Sequence, residues 1–184
     1  KTILHPVTIP EGYRITEIAT LLHSEGLADK EFFIRQTRDK SLIRPLGIPA
    51  DSLEGYLFPE TYHFSKFTPE KKIVQKMVDT FREQVLIPQL LMSAKKSSLS
   101  WHEIITLASL IEKETGLDSE RKIISSVFHN RLRKNMRLQT DPTVIYAMEK
   151  FDGNIRPLHK KGAQSKNNEQ GNIPVVFGPY PGFL

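Results

Sequence analysis

The chain contains no cysteine, and this absence excludes disulfides, thiolate nucleophiles and cysteine-based zinc sites. It has no uninterrupted apolar run of about 18 residues and no charged leader followed by an apolar stretch, so none of its segments is expected to span a membrane. A glycine-rich phosphate loop and a repeat of about 20 to 50 residues are also missing. The 184 residues that are present, 39% of them apolar, are enough for one folded domain and a small second module.

Positive charge exceeds negative charge by a small margin. The chain has 26 Lys and Arg against 21 Asp and Glu, which gives a net charge of +5. Basic residues cluster within 131–137 and again within 160–166. A nucleic-acid-binding protein would be expected to show interleaved aromatic residues or a helix-turn-helix, and neither is evident. We therefore expect no nucleic-acid partner and interpret the clusters as a solvated basic face.

The first 50 residues are predicted to form a strand, a helix and a second short helix. Val7 and Ile9 alternate as in a strand, and an apolar helix face with Gly26 as its stop and Asp29 as the next cap follows. The pattern Val-x-Ile-x-x-Gly, followed by Ile-Ala-x-x-Leu, is similar to the LysM module, which binds the amino sugars of cell-wall glycans. The same spacing describes any small amphipathic unit, so both interpretations stay open.

Residues 53–64 are dense in aromatic rings, with carboxylates and a glycine between them. Aromatic faces beside hydrogen-bonding groups suit sugar rings, which carry both apolar patches and hydroxyls. The alternative is a strand with one aromatic face in the core. The next helix, preceded by Thr68-Pro69 as cap and first-turn proline, is predicted to be scaffold, with one apolar side made of Ile73, Val74, Met77, Val78, Phe81 and Val85.

A largely buried helix is predicted to follow Ser100, which has capping-box spacing to Glu103. At about 100° per residue, its apolar residues cover roughly 220° of the circumference. Glu112 and Glu114 then both point into the buried arc. The remaining polar sector consists of His102, Thr106, Ser109 and Lys113.

A lone carboxylate in a buried arc costs several kcal/mol when it is ionised, so its presence needs an explanation. One explanation is a general acid against an apolar wall. The other is a buried salt bridge to Arg121 or Arg131 on the following helix. Periodicity alone separates neither the two explanations nor the two glutamates, Glu112 and Glu114.

The following helix is predicted from about Ser119 to Lys134, with a loop at 136–143 after it. In that loop Asp141, which precedes Pro142, is predicted to cap a last helix. The His102-Glu103 pair lacks a second histidine four residues after the first, so the zinc-protease motif is absent. We therefore expect no cofactor and no metal.

Four blocks of sequence occur in an order that is typical of one family. They read Leu-Glu-Gly-Tyr-Leu-Phe-Pro-Glu-Thr-Tyr at 53–62, Ala-Ser-Leu-Ile-Glu-Lys-Glu-Thr at 108–115, Phe-His-Asn-Arg-Leu at 128–132 and Met-Arg-Leu-Gln-Thr-Asp-Pro-Thr-Val-Ile-Tyr at 136–146. Together they resemble the endolytic murein transglycosylases, the YceG-like family, and the resemblance covers about residues 7 to 155. It implies an α+β fold, with a LysM-like strand-helix-helix subdomain at 1–50. A mainly helical catalytic domain with a few antiparallel strands is expected at 51–184.

The resemblance implies that Glu112, the first glutamate of the Glu-Lys-Glu-Thr run, is the single catalytic acid/base and that Glu114 is its structural partner. In lytic cleavage as the family is understood, this acid protonates the β-1,4 oxygen between N-acetylmuramic acid and N-acetylglucosamine. The resulting carboxylate takes the proton of the muramoyl C6 hydroxyl, which closes onto C1 as a 1,6-anhydro ring. Because the substrate supplies the nucleophile, neither water nor a second carboxylate is needed. The implied role is the termination of nascent strands.

The resemblance also implies contacts and a location. The expected sugar and peptide contacts are Glu54, Tyr56, Glu60, Tyr62, Asn130, Arg131, Gln139 and Asp141. The family works on the outer side of the inner membrane, held by one N-terminal helix. Membrane contact is thus expected only through an anchor that this chain lacks. Glycan strands and cell-wall synthases are the expected partners.

From about residue 157 the chain departs from the family pattern. The family shows Ser-Pro-Tyr-Asn-Thr-Tyr and then Gly-Leu-Pro-Pro-Gly-Pro, whereas this chain has a polar tract at 160–170 and keeps only Gly178-Pro179 and Pro181-Gly182. Catalysis is expected only if this tail orders around the cleft. Two alternatives follow: a catalytically silent glycan-binding protein, and a docking subunit of the cell-wall synthesis machinery.

Overall fold

The structure is a computed structural model, and it describes residues 3–136 and 138. Within this range the chain forms two compact units, the first ending at Ile105 and the second beginning at Thr106. The elements, in chain order, are β1 (His5–Thr8), α1 (Ile15–Ser24), α2 (Lys30–Gln36), α3 (Lys40–Ile43), a 3₁₀ turn (Arg44–Leu46), β2 (Thr61–Phe64), α4 (Glu70–Val85), α5 (Pro88–Ala94), α6 (Trp101–Glu114) and α7 (Asp118–Arg133). The unit boundary falls inside α6.

The sheet of the first unit joins two strands that are far apart in sequence. β1 and β2 pair antiparallel, with Val7 opposite Tyr62 and His5 opposite Phe64. Pairing continues beyond β1, where the Ile9 amide donates to the Glu60 carbonyl at 3.0 Å. A two-stranded sheet is marginal by itself. Its stability comes from the buried side chains of Val7, Tyr62 and Phe64, which join the core of this unit.

The predicted strand, helix and second helix at the N-terminus are confirmed. α1 buries Ile15, Ile18, Ala19 and Leu22, and it ends before Gly26, which adopts a left-handed φ of +64°. The amides of Gly26 and Leu27 donate to the carbonyls of His23 and Leu22, which satisfies the last turn of the helix. Asp29 caps α2 as predicted, accepting from the Phe32 amide at 2.8 Å.

Helix α4 is the scaffold that its periodicity predicts. All six apolar residues assigned to its inner side are buried, and α2 packs against this helix. The predicted Thr68 cap is wrong. The Thr68 hydroxyl accepts instead from the Ser65 amide at 3.1 Å, and the helix begins at Glu70, directly after Pro69.

Helix α6 begins with the predicted capping box. The Ser100 amide donates to Glu103 Oε2 at 2.7 Å, and the Glu103 amide donates to Ser100 Oγ at 3.3 Å. The predicted polar sector is partly wrong, because Thr106 and Ser109 are buried. Ser109 satisfies its hydroxyl by donating to the Thr106 carbonyl at 2.7 Å, so its burial leaves no hydroxyl unpaired.

The α+β fold class is confirmed, since a mainly helical chain carries a small antiparallel sheet in residues 3–136 and 138. In that range no helix combines the length and the apolar character that crossing a membrane requires. The boundary between 50 and 51 stays a prediction. The predicted helix after Asp141 and the atypical segment from about 157 lie outside the described residues.

Candidate active site

Glu112 lies near the end of α6 and forms an ion pair with Arg121 of α7, both in the second unit. Arg121 Nη2 lies 2.9 Å from each of the two Glu112 carboxylate oxygens. The glutamate side chain is 12% exposed and the arginine side chain 16% exposed. The pair is thus largely withdrawn from water, where the attraction between charges is stronger than on an open surface.

Arg121 is held from its other side by Asp118, whose Oδ1 lies 2.8 Å from Nη1. Asp118 is one turn earlier on α7, and its side chain is 88% exposed. The guanidinium therefore bridges a nearly buried carboxylate and a solvated one. Because its planar fork has donors in fixed directions, this arrangement fixes the position of the charge beside Glu112.

The Glu112 carboxylate is only half satisfied by this contact. Nη2 donates a hydrogen bond to Oε1, whereas Oε2 is close to the same nitrogen but poorly aligned with its N–H. Among residues 3–136 and 138, Oε2 is buried without a hydrogen-bond partner, and so is Nε of Arg121. A buried acceptor without a donor costs about 1–3 kcal/mol, so this oxygen is suited to accept a further hydrogen bond.

Of the two explanations for a carboxylate in the buried arc, the structure displays the salt bridge, and Arg121 is the partner. Arg131, the other arginine considered, donates to the Leu138 carbonyl instead. Glu114 does not follow the helical-wheel prediction, because it is exposed. It is the last residue of α6, and a periodicity argument constrains the final turn least. The catalytic role of Glu112 stays a prediction.

The turn between α6 and α7 is closed by hydrogen bonds that keep the two helix ends together. Thr115 is buried; its hydroxyl donates to Glu120 Oε2 at 2.7 Å and accepts from the Leu117 amide at 3.0 Å. Only residues 115–117 separate the helices. This short connection places the first turns of α7 beside the end of α6, which is how Arg121 reaches Glu112.

In the first unit, Glu54 has a structural position that its sequence context did not indicate. Both of its carboxylate oxygens lie 3.3 Å from the amide of Ile15, the first residue of α1. A carboxylate here stabilises the positive end of the helix. Burial raises the pKa of Glu54 to about 7, against smaller opposing effects from the Ile15 amide and Arg14. As placed, Glu54 holds the 51–60 segment onto α1.

Tyr56 forms a hydrogen-bonded pair with His102, a residue that the sequence placed in the polar sector of α6 and in half of an absent zinc motif. The Tyr56 hydroxyl lies 2.7 Å from His102 Nδ1, and the two rings are nearly parallel, with centroids 6.1 Å apart. Tyr56 is 0% exposed and also meets Phe81 edge to face. Burial raises the pKa of Tyr56 and lowers the pKa of His102, which favours the neutral form of both groups.

The other two predicted contacts of the first unit are Tyr62 and Glu60. Tyr62 is buried and donates its hydroxyl to the Phe58 carbonyl at 2.7 Å, and burial raises its pKa to about 12. Glu60 is exposed and accepts from the Thr61 amide at 2.8 Å. Tyr56 and Tyr62 are thus core residues in this structure. Their contact with a glycan stays a prediction that would require movement of the rings.

Of the predicted contacts in the second unit, Asn130 is exposed and accepts from the Arg133 guanidinium, and Arg131 is half-buried. Gln139 and Asp141 lie outside the described residues. Among residues 3–136 and 138, no group of three or more His, Asp or Glu is arranged to hold a metal ion. Glu112 and Arg121 are groups suited to proton transfer and charge stabilisation.

Comparison with known proteins gives one family. The YceG-like family model matches residues 1–170. The chain is 37% identical to the endolytic murein transglycosylase of Bacillus subtilis (strain 168), with 94% of this chain and 51% of that protein covered. It is 30% identical to the endolytic murein transglycosylase of Streptococcus pneumoniae (strain ATCC BAA-255 / R6), with 98% of this chain and 36% of that protein covered. The chain thus spans between about a third and a half of the length of these relatives.

A solved structure is similar over the same region. The crystal structure of a putative yceG-like protein from Listeria monocytogenes matches with a TM-score of 0.71 and 32% sequence identity. The match covers 85% of this chain and 56% of that one. The agreement in fold and in sequence therefore extends over most of the chain.

Proposed function

We propose, from the premise that this chain belongs to the YceG-like family, that it acts as an endolytic murein transglycosylase on the glycan strands of peptidoglycan. The relatives named for this activity are 30–37% identical to it over most of its length. Glu112 is the proposed acid/base. The observation that carries this assignment is a carboxylate that is nearly buried, has one oxygen without a hydrogen bond, and lies against a fixed guanidinium.

In the proposed reaction, protonated Glu112 donates its proton to the oxygen between N-acetylmuramic acid and N-acetylglucosamine. The bond from C1 to that oxygen breaks, and the muramoyl C6 oxygen bonds to C1 while its proton passes to the Glu112 carboxylate. Atoms balance without water, and Glu112 ends the cycle protonated as it began. No second carboxylate is required because the nucleophile is part of the substrate.

Arg121 has a definite part in this cycle. The first transfer requires protonated Glu112, so the ion pair with Arg121 must separate before it. When the proton leaves Glu112, the returning negative charge is stabilised by the guanidinium that Asp118 keeps in place. Charge that develops beside a fixed cation in a site of low exposure is stabilised without reorganisation of solvent. Arg121 is thus a positioning residue for the acid/base.

The first unit is the proposed glycan-holding part. Its order of one strand, two helices and an antiparallel second strand is consistent with the LysM-like interpretation of residues 7–22. The proposed product is the 1,6-anhydromuramoyl end, and the proposed role is the termination of nascent strands. The proposed location is the outer side of the inner membrane, beside the cell-wall synthases.

The test compares wild type, Glu112→Gln and Glu114→Gln on purified glycan strands, with chromatography and mass spectrometry of the released fragments. Glu112→Gln should lose at least about 10²-fold in the rate of anhydro-ended product formation, because an amide donates no proton. Glu114→Gln is the matched control, since Glu114 is exposed and two residues away on the same helix. It should retain activity. Equal activity of wild type and Glu112→Gln would remove the assignment.

A second candidate is a glycan-binding protein without activity, and the resting ion pair of Glu112 with Arg121 favours it. In that case wild type binds strands and releases no anhydro-ended fragments. The same assay therefore decides between the two functions.

A further inference from the structure

The first unit has an open cavity of about 480 Å³ between two loops, and the predicted sugar contacts do not line it. One wall is His23 near the end of α1 with residues 26–29 of the α1–α2 connection. The other is residues 66–69, between β2 and α4, with Glu70, the first residue of α4. The volume falls in the range of roughly 300–1,000 Å³ found for ligand sites. We call it the Phe67 pocket, after the aromatic residue at its rim.

Both walls of the Phe67 pocket are held in place by hydrogen bonds. The Asp29 amide donates to Glu70 Oε1 at 3.0 Å, which ties one wall to the other. His23 Nδ1 donates to the Ala28 carbonyl at 3.2 Å and closes the first loop on itself. Ser65 and Thr68 close the second loop through three contacts of 3.0–3.1 Å between their amide, hydroxyl and carbonyl groups. The cavity is therefore preformed, which lowers the entropic cost of binding.

Phe67 is 93% exposed, so its ring adds almost nothing to the core. A single exposed apolar side chain is ordinary on a protein surface. Phe67 differs because it lines a preformed cavity in which polar residues lie beside apolar ones such as Leu27. The polar or charged residues are His23, Asp29, Lys66, Thr68 and Glu70.

The chemistry of these groups selects a class of ligand. Two carboxylates and one ammonium give no strong excess of one sign, which disfavours a highly charged ligand such as a polyphosphate. A flat exposed ring beside both donors and acceptors matches a sugar, which has apolar C–H faces and hydroxyl or acetamido groups at its edge. We propose that the Phe67 pocket is a saccharide subsite that binds an amino sugar of the glycan strand, with Phe67 as the stacking platform. This inference rests on the proposed function for the identity of the glycan.

Titration of 15N-labelled protein with the N-acetylglucosamine tetramer tests the subsite directly. Amide shifts should concentrate in residues 23–29 and 66–70. Phe67→Ala should raise the Kd about five- to tenfold, which is the contribution expected of one aromatic contact. The matched control is Phe32→Ala, since Phe32 is 49% exposed, packs under the Arg35 guanidinium and does not line the pocket. Phe32→Ala should leave the Kd unchanged.

Kinetics on peptide-free glycan strands separate this proposal from the proposed function. Phe67→Ala should raise KM about five- to tenfold with kcat unchanged, because the ring is placed to hold the strand rather than to react with it. An unchanged Kd in Phe67→Ala, an equal loss in Phe32→Ala, or amide shifts confined to other segments would each overturn the subsite. If wild type forms no anhydro-ended products, the proposed function fails, while the titration still decides whether the Phe67 pocket binds sugar.

Discussion

The ion pair between Glu112 and Arg121 leads to a prediction about protein stability that unfolding experiments can test. The prediction concerns whether a second substitution raises or lowers the stability of the first variant. Replacing Arg121 with methionine keeps much of the aliphatic volume of the side chain and removes the guanidinium. The Glu112 carboxylate then stays nearly buried with one oxygen that already lacks a hydrogen bond. Replacing Glu112 with glutamine in the same protein removes that stranded charge. Glu112→Gln should therefore restore part of the stability that is lost in Arg121→Met.

The burial of the ion pair determines how much stability each substitution should cost. Removing one partner of a buried ion pair costs about 3–5 kcal/mol, and an exposed pair contributes about 0–1 kcal/mol. Exposures of 12% and 16% place this pair nearer the buried limit. We expect Arg121→Met to lower the free energy of unfolding by about 3 kcal/mol. Glu112→Gln alone should cost about 1 kcal/mol, because the amide still accepts from Nη2 and Arg121 keeps Asp118. The double variant should recover about 1–2 kcal/mol relative to Arg121→Met.

Urea unfolding at pH 7.5 measures these differences, followed by circular dichroism and by the fluorescence of Trp101, the single tryptophan and the first residue of α6. Asp118→Asn is the control, because its side chain is 88% exposed, and it should change stability by less than about 0.5 kcal/mol. A double variant that is less stable than Arg121→Met would refute the reasoning. It would mean that Glu112 is stable without its partner.

Two further predictions concern the first unit. Burial raises the pKa of Glu54 to about 7 from an ordinary 4.5, so the folded state retains a proton that the unfolded state loses in this range. As pH rises from 4 to 8, the free energy of unfolding of wild type should therefore fall by about 3 kcal/mol relative to that of Glu54→Gln. Urea unfolding at several pH values measures both, and an unchanged difference between the two proteins over that range would contradict the prediction. Tyr56→Phe removes the hydrogen bond to His102 and should cost about 1 kcal/mol in urea unfolding, with Tyr62→Phe as a comparison that loses its bond to the Phe58 carbonyl. Full stability of Tyr56→Phe would show that the pair with His102 contributes nothing.

The helices of the first unit were predictable because their signals are local. Gly26 and Asp29 mark the end of α1 and the start of α2 through local hydrogen bonds, from the Gly26 amide and to the Asp29 carboxylate. The buried side of α4 follows from one period of 3.6 residues. Such features depend only on a short segment and its own backbone. They can therefore be predicted from the sequence of that segment, without knowing which residues pack against it.

Two contacts of the predicted site residues join positions far apart in the sequence, and no local pattern indicates them. Glu54 meets the Ile15 amide across 39 positions, and Tyr56 meets His102 across 46. As a pattern, the aromatic segment 53–64 fits both a sugar surface and a core strand, and by itself it favours the core strand. Only the position of β1 opposite β2, which buries Tyr62 and Phe64, places these rings in the core.

The helical wheel located Glu112 correctly in the buried arc of α6, and the sequence left Arg121 and Arg131 open as salt-bridge partners. The partner changes the chemistry. A general acid kept neutral by an apolar wall needs no cation beside it, whereas Glu112 has a guanidinium within 2.9 Å. A cation there favours the negative charge that is left after the first proton transfer. In the proposed cycle, the bound strand separates Glu112 from Arg121 before the transfer, and the pair re-forms as the proton leaves. The ion pair is then part of the proposed cycle, and the energy of opening it is drawn from the binding of the strand.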